Sequence, residues 1–370
     1  MQGIERRLSD FVGNDASNHV AVFDVGTRAT RLLVAPLTVP RGEWQPQYFF
    51  NTRNISRIGG DVGRAQSNLE VDNSAALDRA AQFIGSYHRF LTSRGIQSQN
   101  VHAVGTAVFR WLENRAEVLE SIRQRTGVMI RILEDQEEAQ MSLAGIQFTH
   151  DKRPGGPVIG EHDAIVLIDQ GGGSTEVSYS TADGKTADLH SFDEFGTVAL
   201  RHKFFWTGAE GQRVEPEMNR RRILTQIDWI TAMAEDVIER WPGYATLGRR
   251  KLHVYGMGSA ITNCFPGIGN FRVHNQRLAL DRIRALIADH GEALDYSREQ
   301  IMTLWRRYKA EEYLIDKDDK DNLENRLLGL YGLPVFVKLL EKFKTNELRI
   351  CGFGLRYAYY LWKYHFRVSD

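Results

Sequence analysis

Apolar residues in this chain fall into two kinds of run, and the alternation of the two predicts most of its elements. Short β-branched runs predict strands at His19–Val25, Thr30–Pro36, Gln47–Asn51, Val101–Val104, Met129–Leu133, Ala164–Asp169, Glu176–Ser180, Leu252–Tyr255 and Leu348–Cys351. The runs that end at Asp24 and Asp169 are apolar at nearly every position, the pattern of central strands covered on both faces. Between Asn73 and Arg94, Leu77, Ala80, Ala81, Ile84, Tyr87 and Leu91 recur at three- and four-residue intervals, with Gly95 beyond them. That spacing predicts an amphipathic helix with a glycine stop. Further helices are predicted at Ala116–Arg125, Gln136–Gly145, Arg221–Arg240, Asp281–His290, Arg298–Tyr308, Asp321–Phe343 and Leu355–Tyr364. Strands alternating with helices in this way specify an α/β architecture.

Two strand-to-turn segments share a chemistry. Ile165 to Val177 runs from an apolar strand into Asp169, Gln170, three glycines, Ser174, Thr175 and Glu176. Glycines let backbone amides approach an anion that a Cβ would hold away, and successive unpaired amides form a concavity of partial positive charge. Ala21 to Leu33 repeats the scheme with Asp24, Gly26, Thr27 and a return strand, 145 residues earlier (Asp24 against Asp169). An Asp-x-Gly turn explains either segment alone, but two of them after buried-type strands point to phosphate held between two related halves.

At 370 residues, two domains are expected. The best boundary is the charged, Pro- and Gly-containing stretch Thr149–Asp163; a second polar stretch, Thr207–Asn219, is expected to project from the later half. The division expected is an extension over 1–19, a first domain over 20–155 and a second over 156–370, with the C-terminal helix packing back on the first. Forty-seven basic and 47 acidic residues cancel, which disfavours wholesale binding to nucleic acid or membrane. Cys264 and Cys351 form no CxxC pair and read as buried thiols. The absence of a signal-like N-terminus and of any long apolar run gives a cytoplasmic expectation.

Both glycine loops, Val104-Gly-Thr-Ala-Val-Phe-Arg110 with Asn114, Leu133-Glu-Asp-Gln-Glu-Glu-Ala-Gln140 followed by Gly145, and Val254-Tyr-Gly-Met-Gly-Ser259 occur in one order. In that order and spacing the chain resembles the exopolyphosphatase/guanosine pentaphosphate phosphatase (Ppx/GppA) family from about Val20 to Arg356. The resemblance implies two actin-like (ribonuclease H-like) ATPase-superfamily domains enclosing a phosphate-binding cleft, and Mg²⁺-dependent release of a terminal phosphate. It implies inorganic polyphosphate as the substrate or, with the same residues and a guanosine pocket, pppGpp. A kinase-like ATPase on the same framework and a catalytically weak polyphosphate- or nucleotide-binding sensor are the alternatives from other classes. A homodimer is also implied.

Residue by residue, the resemblance makes Glu138 the catalytic base and Arg110 a phosphate-binding cation. From the local segment alone, Asp135 with Glu138 reads rather as a capping-box-like helix start, and Arg110 as an ion-pair partner of Glu113 or Glu117. Asp169 and Glu176 would position Mg²⁺ and water, with Asp24 as a third carboxylate. Thr27 and Ser174 would offer hydroxyls, and Gly171, Gly172 and Gly173 amides, to phosphate. Gly256, Gly258 and Ser259 would make a third phosphate-contacting turn. The chain departs from the family's usual first loop, Asp-x-Gly-Ser-Asn-Ser, in placing Thr27 and Arg28 at the Ser-Asn pair. Arg28 then either adds a cationic contact or faces solvent. Gln170 replaces an apolar or small residue, and Tyr357-Ala-Tyr-Tyr360 replaces a small and acidic continuation.

Overall fold

The computed structural model describes residues 2–38, 48–61, 68–69, 71–72, 74–150, 159–181, 186–197, 199–200, 203, 220–262, 274–293 and 323–366. The predicted helix at 298–308 and the polar stretch 207–219 lie outside the described residues, as does most of the predicted connector. The chain divides into two compact units, one made of Met1–Val158 with Phe353–Asp370 and the other of Ile159–Gly352.

The first unit is built on a five-stranded sheet of order β3-β2-β1-β4-β5. Its strands are β1 (His19–Val25), β2 (Thr30–Pro36), β3 (Phe50–Asn54), β4 (Val101–Gly105) and β5 (Ile130–Ile132). The first three form an antiparallel meander, and β4 and β5 run parallel to β1. Every residue of β1 after His19 is buried, which is why the run lacks polar alternation. Helices α1 (Gln2–Val12), α2 (Ile58–Asp61), α3 (Ala75–Thr92), α4 (Ala107–Trp111), α5 (Arg115–Thr126) and α6 (Asp135–His150) complete the N-terminal part. Ser74 caps α3 by accepting from the Leu77 amide at 3.1 Å, and the predicted apolar stripe of this helix is buried. The N-terminal segment, read as a polar extension, is instead helical: Leu8 and Val12 of α1 join the core of the unit.

The second unit carries a six-stranded sheet of order β10-β11-β9-β6-β7-β8. Its strands are β6 (Ala164–Gln170), β7 (Thr175–Thr181), β8 (Thr186–Phe192), β9 (Leu252–Gly258), β10 (Arg277–Ala279) and β11 (Glu347–Ile350). Strands β6, β7 and β8 form an antiparallel meander, β9 runs parallel to β6, and β11 parallel to β9. The sheet is thus the first unit's topology with β10 added at one edge. Its helices among the described residues are α7 (Arg220–Arg240), α8 (Ser259–Thr262), α9 (Leu280–Ala293) and α10 (Leu323–Lys342). The fold is two α/β units of related sheet topology, each with a carboxylate at the C-terminal end of an inner strand.

The last helix, α11 (Leu355–Leu361), belongs to the first unit and is buried along its whole length. Tyr360 donates to the Pro36 carbonyl at 2.7 Å, and Ala358 lies against Gly145 of α6, where an added Cβ would come within 3.4 Å of its Cα. Beyond α11, Tyr364 bonds His102 of β4 at 2.7 Å. Burial, aided by the Lys363 charge, holds His102 down to about 4 from an ordinary 6.5. Between those values the unfolded chain binds the proton and the folded chain does not, so stability rises with pH. It should fall as pH drops from 6.5 towards about 4, by on the order of 1 kcal/mol for this partly exposed group. Urea midpoints of wild type and His102→Phe measured across that window should converge at its acid end.

Candidate active site

In the second unit, the register of β6 and β7 places Asp169 directly opposite Glu176. Cross-strand partners have Cβ atoms about 5 Å apart, so two carboxylates project from one face of the sheet's end. Gly171 to Ser174 form the connecting hairpin, closed by the Gly171 amide donating to the Ser174 carbonyl at 2.9 Å. Gly171 therefore cannot offer its amide to phosphate, contrary to the expectation from sequence; among the described residues no backbone carbonyl accepts from Gly172 or Gly173. The Ser174 hydroxyl donates to Glu176, so it orients that carboxylate.

The first unit repeats this corner with different chemistry. Asp24 faces Arg31 across β1 and β2, at the positions matching Asp169 and Glu176, and the two are ion-paired at 3.2 Å. Asp24 is buried, and Thr27 packs its methyl against Gly59, where an added Cβ would lie 2.1 Å from Cγ2. The Gly26 amide closes this hairpin on the Ala29 carbonyl at 3.0 Å. Arg28 lies in the hairpin, and its carbonyl accepts from the Arg57 amide at 2.9 Å. Arg356 is also buried beside Asp24 and Arg31, and burial lowers its pKa from the ordinary value. Sequence reasoning missed Arg31, although the 145-residue repeat that relates Asp24 to Asp169 relates Arg31 to Glu176.

Glu138 lies in the first turn of α6 and Arg110 in α4. Arg110 spans the start of α6: it donates to the Leu133 carbonyl at 2.6 Å, pairs with Asp135, and reaches Glu138 at 3.4 Å. Its ion-pair partners are thus on α6 rather than Glu113 or Glu117, because the short β5 brings residue 133 back beside Gly105. Arg110 fixes the mount of Glu138 and neutralises two carboxylates that share one helical face. Asn114 is an anchor for the preceding loop, bonding both the amide and the carbonyl of Leu69.

The third expected turn is not a turn. Strand β9 continues through Gly258, and α8 starts at Ser259 without an intervening loop. Gly256 is buried within the strand, where a Cβ would meet Phe336 and Leu348 at 3.1 Å. Gly258, with φ of +112°, lies against the Gln170 carbonyl, 2.2 Å from where its Cβ would be. Both glycines are explained by close approach of neighbouring groups.

Residues 41–235, more than half of the chain, match the model of the Ppx/GppA phosphatase family. The chain belongs to the Ppx/GppA family. It is 23% identical over 188 residues to a bifunctional 3-dehydroquinate synthase/phosphatase of Fusobacterium nucleatum, covering 50% of this chain and 26% of that protein. It is likewise 23% identical over 354 residues to a proposed exopolyphosphatase of Haemophilus influenzae, covering 95% and 93%. Of the first two curated relatives it spans 26% and 60% of the length, less than two thirds of each. A Ppx/GppA crystal structure from Aquifex aeolicus matches with a TM-score of 0.66 at 18% identity, over 95% of this chain and 99% of that one, and so shares its fold.

Two departures from the usual Ppx/GppA pattern are packing solutions. Gln170 points away from the carboxylate pair into the core, where its amide donates to the carbonyls of Phe195 at 3.1 Å and Gly332 at 3.3 Å. Any side chain at Gly332 would overlap it, the Cβ falling 2.1 Å from its Oε1. Tyr357, Tyr359 and Tyr360 are buried in the first unit, with Phe49 edge-on to Tyr357 and Tyr360.

Magnesium takes oxygen ligands, keeps several waters and commonly needs only one or two carboxylates beside substrate phosphates. The adjacent Asp169 and Glu176 match that donor set. Asp24 fits it less well, since Arg31 occupies its carboxylate. Among the described residues no cluster of three metal-type side chains forms, and no helix is long and apolar enough to cross a membrane.

Proposed function

We propose that this chain is an exopolyphosphatase, releasing terminal orthophosphate from inorganic polyphosphate by attack of water. The observation that carries the reading is the acidic mount in the first unit, where Arg110 clasps the start of α6 and stands 3.4 Å from Glu138. A general base must be held rigidly to orient and deprotonate a water, and a helix start tied by a guanidinium meets that need. Glu138 would take the proton from the attacking water. In the first unit Arg110 would supply positive charge to phosphate, and in the second unit the hairpin amides would serve as donors to phosphate oxygens. Mg²⁺, when bound by Asp169 and Glu176, would neutralise charge on the phosphate chain. Phosphoryl transfer gains mostly from positioning and electrostatics, which suits this set of groups.

The test is phosphate release from long-chain polyphosphate and from pppGpp, measured side by side with and without Mg²⁺, and with Glu138→Ala as the blank. Mg²⁺-dependent release from polyphosphate, lost in the variant, is the expected result. Faster release from pppGpp would replace the substrate, and no release from either would leave a binding protein.

A further inference from the structure

The carbonyls of Gly171 and Gly172 in the second unit's hairpin are turned towards one segment, and that segment has no part in the chemistry described above. The Thr197 amide donates to the Gly171 carbonyl at 3.0 Å, the Thr197 hydroxyl reaches the same oxygen at 3.3 Å, and the Ala199 amide donates to the Gly172 carbonyl at 3.2 Å. No peptide in the described chain is cis. In a planar trans peptide the N–H points opposite to the C=O. Fixing the carbonyls of Gly171 and Gly172 towards Thr197 and Ala199 therefore aims the amides of Gly172 and Gly173 to the opposite side. Gly196 lies directly on the hairpin: a Cβ there would fall 2.1 Å from the Gly173 carbonyl carbon and 2.4 Å from the Ser174 nitrogen. Phe195 is itself held, its carbonyl accepting from the Thr175 hydroxyl at 2.8 Å and from the Gln170 amide.

The first unit also has two hairpin carbonyls held by outside amides, one position further along the turn. Gly59 donates its amide to the Thr27 carbonyl at 2.8 Å, and Arg57, with a left-handed φ of 59°, donates to the Arg28 carbonyl at 2.9 Å. The amides of Arg28 and Ala29 are aimed away in consequence. Each hairpin is already closed by its own Gly26 or Gly171 amide, so closure does not require the extra donors. What they add is a fixed peptide orientation.

We infer that Gly196, Thr197 and Ala199, backed by Gln170, are positioning residues that hold the Gly172 and Gly173 amides in the orientation that binds a phosphoryl oxygen. Donors set before the substrate arrives cost no reorganisation during reaction, whereas a flipped peptide would present a carbonyl to the anion. The inference rests on the phosphatase reading for its role in hydrolysis, but anion binding tests it separately.

The experiment is titration of the full-length, ¹⁵N-glycine-labelled protein with orthophosphate, in wild type, Gly196→Ala and Gln170→Leu, alongside polyphosphate kinetics and thermal melts. The Gly172 and Gly173 amide resonances should move downfield in wild type. Gly196→Ala should weaken orthophosphate binding roughly tenfold or more and lower kcat/KM about 10²-fold, the scale of one lost oxyanion donor. Gln170→Leu, which removes the amide bonds to Phe195 and Gly332 and should lower the melting temperature modestly, should show a smaller loss in the same two readouts below its melt, and decides the matter if Gly196→Ala does not fold. Amides that stay still as phosphate is added, or variants that bind phosphate as wild type does, overturn the inference. Moving amides in a protein that hydrolyses neither substrate would sustain the inference and sink the exopolyphosphatase reading instead.

Discussion

Glu138→Gln is expected to lower kcat for phosphate release by about 10²- to 10⁴-fold, the range a positioned general base contributes. Glutamine keeps the size of the side chain and a hydrogen-bonding oxygen but cannot accept a proton from water. Glu138 retains 23% side-chain exposure, so the exchange leaves no cavity and should not change the melting temperature by more than a degree or two. The informative control is Asp135→Asn, which weakens the other ion pair of Arg110 without touching the base. A capping or mounting role alone would make the two substitutions equally harmful. A catalytic role predicts a loss of less than tenfold for Asp135→Asn and a large one for Glu138→Gln. Initial rates at saturating polyphosphate separate these cases.

Asp169→Asn is expected to raise the Mg²⁺ concentration needed for half-maximal activity by one to two orders of magnitude and to lower kcat at physiological magnesium about 10²-fold. The reason is the cross-strand pairing: Asp169 and Glu176 are direct neighbours, so on the proposed metal role removing one would leave a single carboxylate for a cation that would otherwise have two. Glu176→Gln should act in the same direction and lose the Ser174 hydrogen bond to a charged acceptor as well. Asp24→Asn should differ in kind. It breaks the pair with Arg31 and leaves the partly exposed Arg31 and the buried Arg356 as neighbouring cations, so its effect should be on stability, with little change in magnesium dependence. Magnesium titrations of activity, together with chemical denaturation of the three variants, test that contrast. Equal magnesium dependence in Asp169→Asn and wild type would remove the metal role of the pair.

Much of the framework was legible because it depends on periodicity. Strands β1, β2, β6 and β7 and helix α3 lie within a residue or two of where their apolar patterns place them, since one buried face or two is a local demand on residue type. Helix α1 was overlooked because its charged residues, Glu5, Arg6 and Arg7, dominate a segment in which few positions are buried. Strand β10 is three residues long, too short for any pattern. Gln47–Asn51 was placed early: the strand runs over Phe50–Asn54, and its register is set by pairing with β2.

The site divides along the same line. Which residues could carry the chemistry was determined by the sequence itself, because a carboxylate, an arginine or a run of glycines is a local statement and the 145-residue repeat marks where two such statements correspond. How those groups are used was decided only by the tertiary structure. Register opposes Asp24 to Arg31 but Asp169 to Glu176. The return of the chain from β5 gives Arg110 its partners on α6. Thr197 and Ala199 turn the hairpin carbonyls through backbone donors, which every residue but proline possesses and which therefore leave no mark in the sequence. A side chain announces its chemistry in one letter; the direction of a peptide plane is settled by what folds against it.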